Sequence, residues 1–386
     1  MSTRKICIVV GSRANYSSIK SVMRAVKAHP DLELQVVLGA SALLDRYGAV
    51  ANLVRDDGFE ANAEVHMLIE GETPTTMAKS TGLGLLELPT IFGRLAPDFV
   101  LTVGDRFETM ATALAAAYMN IPLAHTMGGE VSGTIDESIR HAVTKFAHVH
   151  FAASEDAGER IVRLGERPED VHVVGCPRID LVAEILAKDG ELPEQAEMFR
   201  EGVGDTFDLS RPFLLVSQHP VTTEYGSGKA QIAETLKAIT EIGLPAIVLW
   251  PNPDAGSEDI SAGIRGWREK GWAENMHFFK NLRIETYVRL MRHTACLVGN
   301  SSSGIREGAY IGTPVVNIGS RQQRRMSGTN VLHAPHEAAS IREAVDRQLE
   351  HGRHPMEPIY GEGNAGEKIA AVLSYKTVST QKLITY

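Results

Sequence analysis

Ala295-Cys296-Leu297-Val298-Gly299-Asn300-Ser301-Ser302-Ser303-Gly304-Ile305-Arg306-Glu307 runs from an apolar, strand-like stretch through glycine and hydroxyl residues into the start of a helix. A strand that feeds directly into a helix is the repeating half of a parallel α/β sheet. The helix is entered through small residues, so its first backbone N–H groups and the positive end of its dipole stay free to hold a phosphate. Glu307 falls about one and a half turns inside, where a carboxylate can accept hydrogen bonds from sugar hydroxyls. Phosphate and diol together read as nucleotide. The plainer alternative is an ordinary capped helix with Glu307 in solvent.

The same rhythm runs outward in both directions. Residues 6–10 form a continuous apolar run, 11–16 a turn, 17–29 an amphipathic helix ending before Pro30, and 34–39 a second run. Strands at 99–103, 122–125, 149–152 and 171–174 alternate with helices near 106–119, 137–147, 156–164 and 180–188. A polar, acidic passage at 189–210 follows, and the pattern then restarts. Strands are expected at 213–217, 246–250, 276–279, 296–299 and 314–318, with helices at 229–243, 284–293, 336–351 and 364–373. The prediction is an α/β protein of two doubly wound, Rossmann-like domains facing a cleft, spanning 1–188 and 189–360, with 361–386 packing back on the first.

Composition narrows the function. The 386 residues are 43% hydrophobic and 23% charged, as expected of a globular protein with ample core. A net charge of −9 and a pI near 5.9 argue against nucleic-acid or anionic-membrane partners. Arg321, Arg324 and Arg325 are a local cluster able to hold a phosphate. Cys7, Cys176 and Cys296 have no metal or disulfide spacing and read as core thiols in a reducing compartment. The apolar run after Lys5 is too short for a secretory signal, and no long uncharged apolar span follows, so a cytoplasmic protein is expected.

Candidate chemistry gathers just after strands. Gly11-Ser12-Arg13 offers a turn and a guanidinium that can grip phosphate, yet it is no GxGxxG fingerprint, and no Walker pattern exists. Gly104-Asp105-Arg106 places an acid and a base at a strand end, as a catalytic pair or a structural ion pair. In the stretch from His125 to His141, Gly128, Gly129 and Gly133 allow close backbone approach, and Glu130, Asp136 and His141 supply titratable groups. Asp136 could equally cap the following helix, with Arg140 and His141 on its solvent face. His219 stands at a strand end before Pro220. No His, Asp or Glu set has metal spacing, so neither metal nor cofactor is expected.

Eight motifs together carry a resemblance. They are Gly104-Asp105-Arg106-Phe107, Gly128-Gly129-Glu130-Val131, Asp136-Glu137-Ser138-Ile139-Arg140-His141, Gly175-Cys176-Pro177, His219-Pro220, Asp254-Ala255-Gly256-Ser257, Gly299-Asn300-Ser301-Ser302 and Gly319-Ser320-Arg321-Gln322. Their order, from about residue 5 to 373, resembles the hydrolysing UDP-N-acetylglucosamine 2-epimerases, which supply N-acetylmannosamine for sialic acid. The resemblance implies a fold like that of GT-B glycosyltransferases with UDP between the domains, no cofactor, and a homo-oligomer, dimer or tetramer. It implies UDP contacts from Arg13, Arg106, His219, Asn252, Ser301, Ser302, Glu307 and Arg321, with the backbone near Leu282 at the base. Asp105 and Asp136 match catalytic positions of that family, with Glu130 and His219 as further candidates.

One position departs from it. The sialic-acid branch has a catalytic Glu just before Gly-Gly-Glu, where this chain has Met127, and a thioether exchanges no proton at neutral pH. An apolar residue there suits a sugar such as UDP-N,N'-diacetylbacillosamine, on the way to legionaminic acid. A GDP-linked amino sugar, a GT-B glycosyltransferase and a non-catalytic nucleotide-sugar binder are the remaining alternatives.

Overall fold

The computed structural model describes residues 3–47, 50–71, 73–132, 134–188, 191–192, 194–251 and 254–385. The chain divides into two compact units. The first comprises Met1–Glu130, Ile135–Leu181 and Tyr360–Tyr386; the second comprises Val131–Thr134 and Val182–Ile359.

The first unit is built on strands β1 (Arg4–Val10), β2 (Leu32–Gly39), β3 (Ala63–Val65), β4 (Phe99–Val103), β5 (Leu123–Thr126), β6 (Val149–Ala152) and β7 (Val171–Val173). All pair in parallel, in the order β3-β2-β1-β4-β5-β6-β7. Uninterrupted burial along β4 and β5 is what a strand covered by helices on both faces requires. The chain leaves β1 in one direction and returns at β4 in the other, so the order reverses between these two neighbours. Helix Ala365–Tyr375 packs on helix Lys20–Ala28, and Asp180 caps it by accepting from Ala365 N at 2.9 Å and Gly366 N at 2.7 Å. Residues 376–385 then run along the segments that lead into β6 and β7. There Lys376 Nζ pairs with Asp170 Oδ1 at 2.8 Å, and Lys382 Nζ meets Glu166 Oε2 at 2.6 Å and the Lys145 carbonyl at 2.9 Å.

The second unit carries β8 (Val203–Gly204), β9 (Leu214–Ser217), β10 (Ala246–Leu249), β11 (Met276–Phe279), β12 (Cys296–Gly299), β13 (Val315–Ile318) and β14 (Val331–Ala334). The order is β14-β13-β12-β9-β10-β11-β8, parallel except for the edge strand β8. Here the reversal lies between β9 and β12. Leu214, Val216, Val248, Phe278, Val298, Val316 and Ile341 belong to one buried apolar cluster. Each unit is thus a Rossmann-like, doubly wound α/β domain.

Several elements differ from expectation. In place of one helix over 17–29, helix Arg13–Ser17 is capped by Ser12 and ends where Ser18 N donates back to Ala14 O at 3.2 Å and Asn15 O at 3.0 Å; helix Lys20–Ala28 then starts anew. Arg13 therefore begins a helix rather than sitting in an open turn. Helix Ser257–Glu269 joins β10 to β11, because adjacent parallel strands need a crossover. Helix Pro74–Leu95 and strands β3, β8 and β14 lie in stretches where no element was expected. No helix among the described residues is long and apolar enough to cross a membrane.

Candidate functional site

Ligands of open parallel sheets sit beyond the carboxyl ends of the strands, where the strand order reverses. In the first unit that rule selects the segments after β1 and β4, which carry Arg13 and Asp105. In the second it selects the segments after β9 and β12, which carry His219 and Ser301.

Around Asp105 the organising group is one the sequence reading misplaced. Arg140 does not face solvent from helix Ile135–Phe146; it is 1% exposed, among the largest fully buried side chains. Its guanidinium pairs with Asp105 Oδ2 and donates to the Glu130 carbonyl at 2.8 Å. Burial by itself would lower the Arg140 pKa, but the charges of Asp105, Glu130 and Asp136 outweigh it and raise the pKa above its usual value. The charges of three expected catalytic carboxylates thus act on one buried cation, with Asp105 in direct contact. Asp136, in the first turn, lies four residues before Arg140, a spacing that puts both on one helix face. That spacing was the available signal for Arg140.

Asp105 and Arg106 are drawn to different partners. While Asp105 turns to Arg140, Arg106 Nε donates to Glu108 Oε1 at 2.9 Å, and Glu108 is 3% exposed. Met127 follows β5 with its side chain buried and its backbone left-handed at φ 58°. Its Sδ lies 3.5 Å from Cys176 Sγ. His141 is half-buried, its Nε2 3.7 Å from Glu137 Oε1; burial and then Arg140 lower its pKa.

The second unit assembles its candidates around Asn300, a motif residue with no role expected from the sequence. Gly299 makes the turn possible: at φ 144° a Cβ there would lie 2.1 Å from the Ser217 carbonyl oxygen. Buried Asn300 then receives His219 N–H on Oδ1 at 2.7 Å and donates from Nδ2 to His219 O at 2.9 Å. Its own carbonyl accepts from Arg321 Nη1 at 3.3 Å and Gln322 Nε2 at 3.0 Å. Three strand-end segments meet at one residue.

Ser301 caps helix Ser302–Ile311, and Ser302 Oγ accepts from Arg306 Nη2 at 2.9 Å. Tyr287 Oη lies 2.6 Å from Ser303 Oγ. Glu307 is 1% exposed, so it does not sit in solvent. Leu282 is buried in the turn after β11. Arg321, Arg324 and Arg325 do not act as one cluster: Arg321 lies beside Asn300, Arg324 is exposed, and Arg325 Nε donates to Val131 O at 3.2 Å. Asn252 lies outside the described residues.

Comparison with known proteins gives the family. The family model described as UDP-N-acetylglucosamine 2-epimerase matches residues 24–374. The UDP-N,N'-diacetylbacillosamine 2-epimerase (hydrolyzing) of Legionella pneumophila is 31% identical over 380 residues, covering 98% of both chains. The UDP-N-acetylglucosamine 2-epimerase of Neisseria meningitidis is 29% identical over 385 residues, again 98% of both. Among solved structures, the Methanocaldococcus jannaschii UDP-GlcNAc 2-epimerase, in complex with UDP-GlcNAc and UDP, superposes with a TM-score of 0.82 at 18% identity, covering 96% of this chain and 100% of the other. Its likeness supports a GT-B-like fold. With a family match running through both sheets and relatives aligned end to end, this chain belongs to the UDP-N-acetylglucosamine 2-epimerase family.

Proposed function

We propose that the protein is a hydrolysing 2-epimerase that converts UDP-N-acetylglucosamine to N-acetylmannosamine and UDP. The observation carrying this reading is the gathering of Asp105, Glu130 and Asp136 around buried Arg140. A C2 proton is weakly acidic, and inversion needs one group to take it and another to return a proton to the opposite face, which paired carboxylates can do. In the proposed sequence a carboxylate removes the C2 proton, and the C–H electron pair forms the C1–C2 double bond. The C1–O bond breaks, and UDP leaves with its electrons. Water then adds hydroxyl at C1 and a proton returns at C2. Arg13, Arg106, His219, Asn252, Leu282, Ser301, Ser302, Glu307 and Arg321 are assigned to UDP, with the positive N-terminal end of helix Ser302–Ile311 on the diphosphate. His219 is also a candidate acid or base.

A second reading is the same reaction on UDP-N,N'-diacetylbacillosamine. Buried Met127, at the position of a family acid, and the similarity to the Legionella protein favour it. Both readings take the protein as cytoplasmic and as a homo-oligomer, and light scattering on purified protein measures the assembly.

The deciding experiment supplies each UDP sugar in deuterated water and follows it by NMR. Free UDP with a product deuterated at C2 supports the reaction. UDP release without C2 deuterium overturns the elimination step, and no turnover of either sugar overturns both readings.

A further inference from the structure

His125 is a buried titratable group that the proposed reaction does not use. It is the third residue of β5, 0% exposed, and paired in register with Thr102 of β4. Its ring does not simply fill space. Nε2 lies 2.7 Å from the carbonyl oxygen of Gly104, the residue immediately before Asp105. Nδ1 faces Thr144 Oγ1 at 3.4 Å, and Thr144 stands one turn beyond Arg140, whose carbonyl accepts its hydroxyl at 3.0 Å. A Cβ added to Gly128 would lie 2.9 Å from Nδ1, so the ring is enclosed from that side as well.

We propose that His125 is a positioning residue of the reaction: its ring ties helix Ile135–Phe146 to the turn that presents Asp105. The proposal rests on the assignment of Asp105 to catalysis. Arg140 holds the carboxylate end of Asp105, and His125 holds the peptide at its base, so the side chain is fixed from both ends by groups that meet on one helix.

The chemistry of the contacts fixes the proton on the ring. A carbonyl oxygen only accepts, so Nε2 carries the hydrogen and Nδ1 is the bare nitrogen, sharing the single Thr144 hydroxyl proton with the nearer Arg140 carbonyl. A second proton is strongly resisted. Burial, with His150 and Arg140 nearby, lowers the His125 pKa to about 3 against the opposing pull of the Gly104 carbonyl and Asp105. A neutral bracket gives the turn a hydrogen bond without adding a second cation beside Asp105, which would weaken that carboxylate as a base. Gly104 supplies the left-handed turn, at φ 70°, that brings its carbonyl onto the ring.

The test compares His125→Phe, His125→Gln and Asp105→Asn in the full-length protein. The amide nitrogen of Gln takes roughly the place of Nε2. Loss of the bracket should lower kcat by about 10²-fold in His125→Phe, the scale of a misplaced reacting group, while UDP affinity stays within about threefold. His125→Gln should recover most of the loss. Nitrogen-15 NMR of the wild type should show a protonated Nε2 and a bare Nδ1, unchanged between about pH 5 and 9.

A folded His125→Phe with unchanged kcat overturns the proposal, as does equal loss in Phe and Gln variants. If the Phe variant does not fold, a wild-type ring titrating near pH 6.5 or protonated on Nδ1 still overturns it. Full activity in Asp105→Asn is a separate failure, one that removes the assignment of Asp105 itself.

Discussion

Asn300 brackets the peptide of His219, accepting its N–H at 2.7 Å and donating to its carbonyl at 2.9 Å. The segments after β9 and β12 are thereby locked by a side chain beyond the last backbone bond, from Asn300 N to Ser217 O at 3.1 Å. Asn300→Leu leaves a buried donor and acceptor without partners, at a cost of roughly 1–3 kcal/mol each. Urea denaturation should show a drop of about 2–6 kcal/mol in the second unit, and UDP titration should show weakened binding.

Arg321 donates to the Asn300 carbonyl and lies 3.9 Å from Asp254, so the adjoining peptides help place its guanidinium. If it also grips the diphosphate, Arg321→Ala removes a charge-assisted contact of about 1.5–3 kcal/mol. The UDP dissociation constant should rise by about 10- to 100-fold by calorimetry. An unchanged constant removes Arg321 from the nucleotide.

The amide variants Asp105→Asn, Glu130→Gln and Asp136→Asn retain much of the shape around Arg140 while losing a proton acceptor. Each carboxylate engaged in proton transfer should account for about 10² to 10⁴ in kcat, with UDP affinity retained. A variant at full rate identifies a carboxylate that serves only to balance Arg140.

Met127 has its Sδ 3.5 Å from Cys176 Sγ, in a left-handed backbone. Met127→Glu places a carboxylate in this buried setting. Higher activity on UDP-N-acetylglucosamine and lower activity on the diacetamido sugar would make Met127 a determinant of substrate. Equal rates on both sugars would dismiss that role.

Acid should destabilise the first unit in two stages. Buried His125, with its pKa lowered to about 3, and His150, lowered chiefly by burial, resist protonation when folded but accept it when unfolded, so stability falls as pH drops below about 6.5. Glu166 loses against burial but gains from His150, Lys145 and Lys382, which bring its pKa down to about 2. Its contribution is complete above about pH 4.5 and declines as pH falls toward 2. Urea midpoints between about pH 8 and 3 should decline first for the histidines and then for Glu166, and Glu166→Gln should flatten the lower stage.

The strand-to-helix punctuation made both sheets legible in the sequence, because buried parallel strands such as Cys296–Gly299 are short apolar runs ending in glycine or a polar residue. Helix Ser257–Glu269 was less visible although Ile260, Ile264 and Trp267 form an i, i+4, i+7 stripe, because Gly263, Gly266 and seven polar residues thin the pattern. Among the proposed site residues, Asp105, Glu130 and Asp136 could be singled out from their chemistry alone. Arg140 and Asn300 were not, because an arginine on a polar helix and an asparagine in a serine-rich turn both resemble surface residues. Their burial depends on contacts across 35 residues, to Asp105, and 81 residues, to His219.

The strap that Lys376 and Lys382 pin to Asp170 and Glu166, ahead of β7, also orders events during synthesis. Residues 182–359 make nearly all of the second unit, whereas the first needs Tyr360 onward for its last helix and the strap. A ribosome therefore presents the segments of the second sheet before those that finish the first. The unit begun first is the one completed last, and its helix Lys20–Ala28 must wait uncovered through almost the whole of translation for Gly366 to arrive against Ser21.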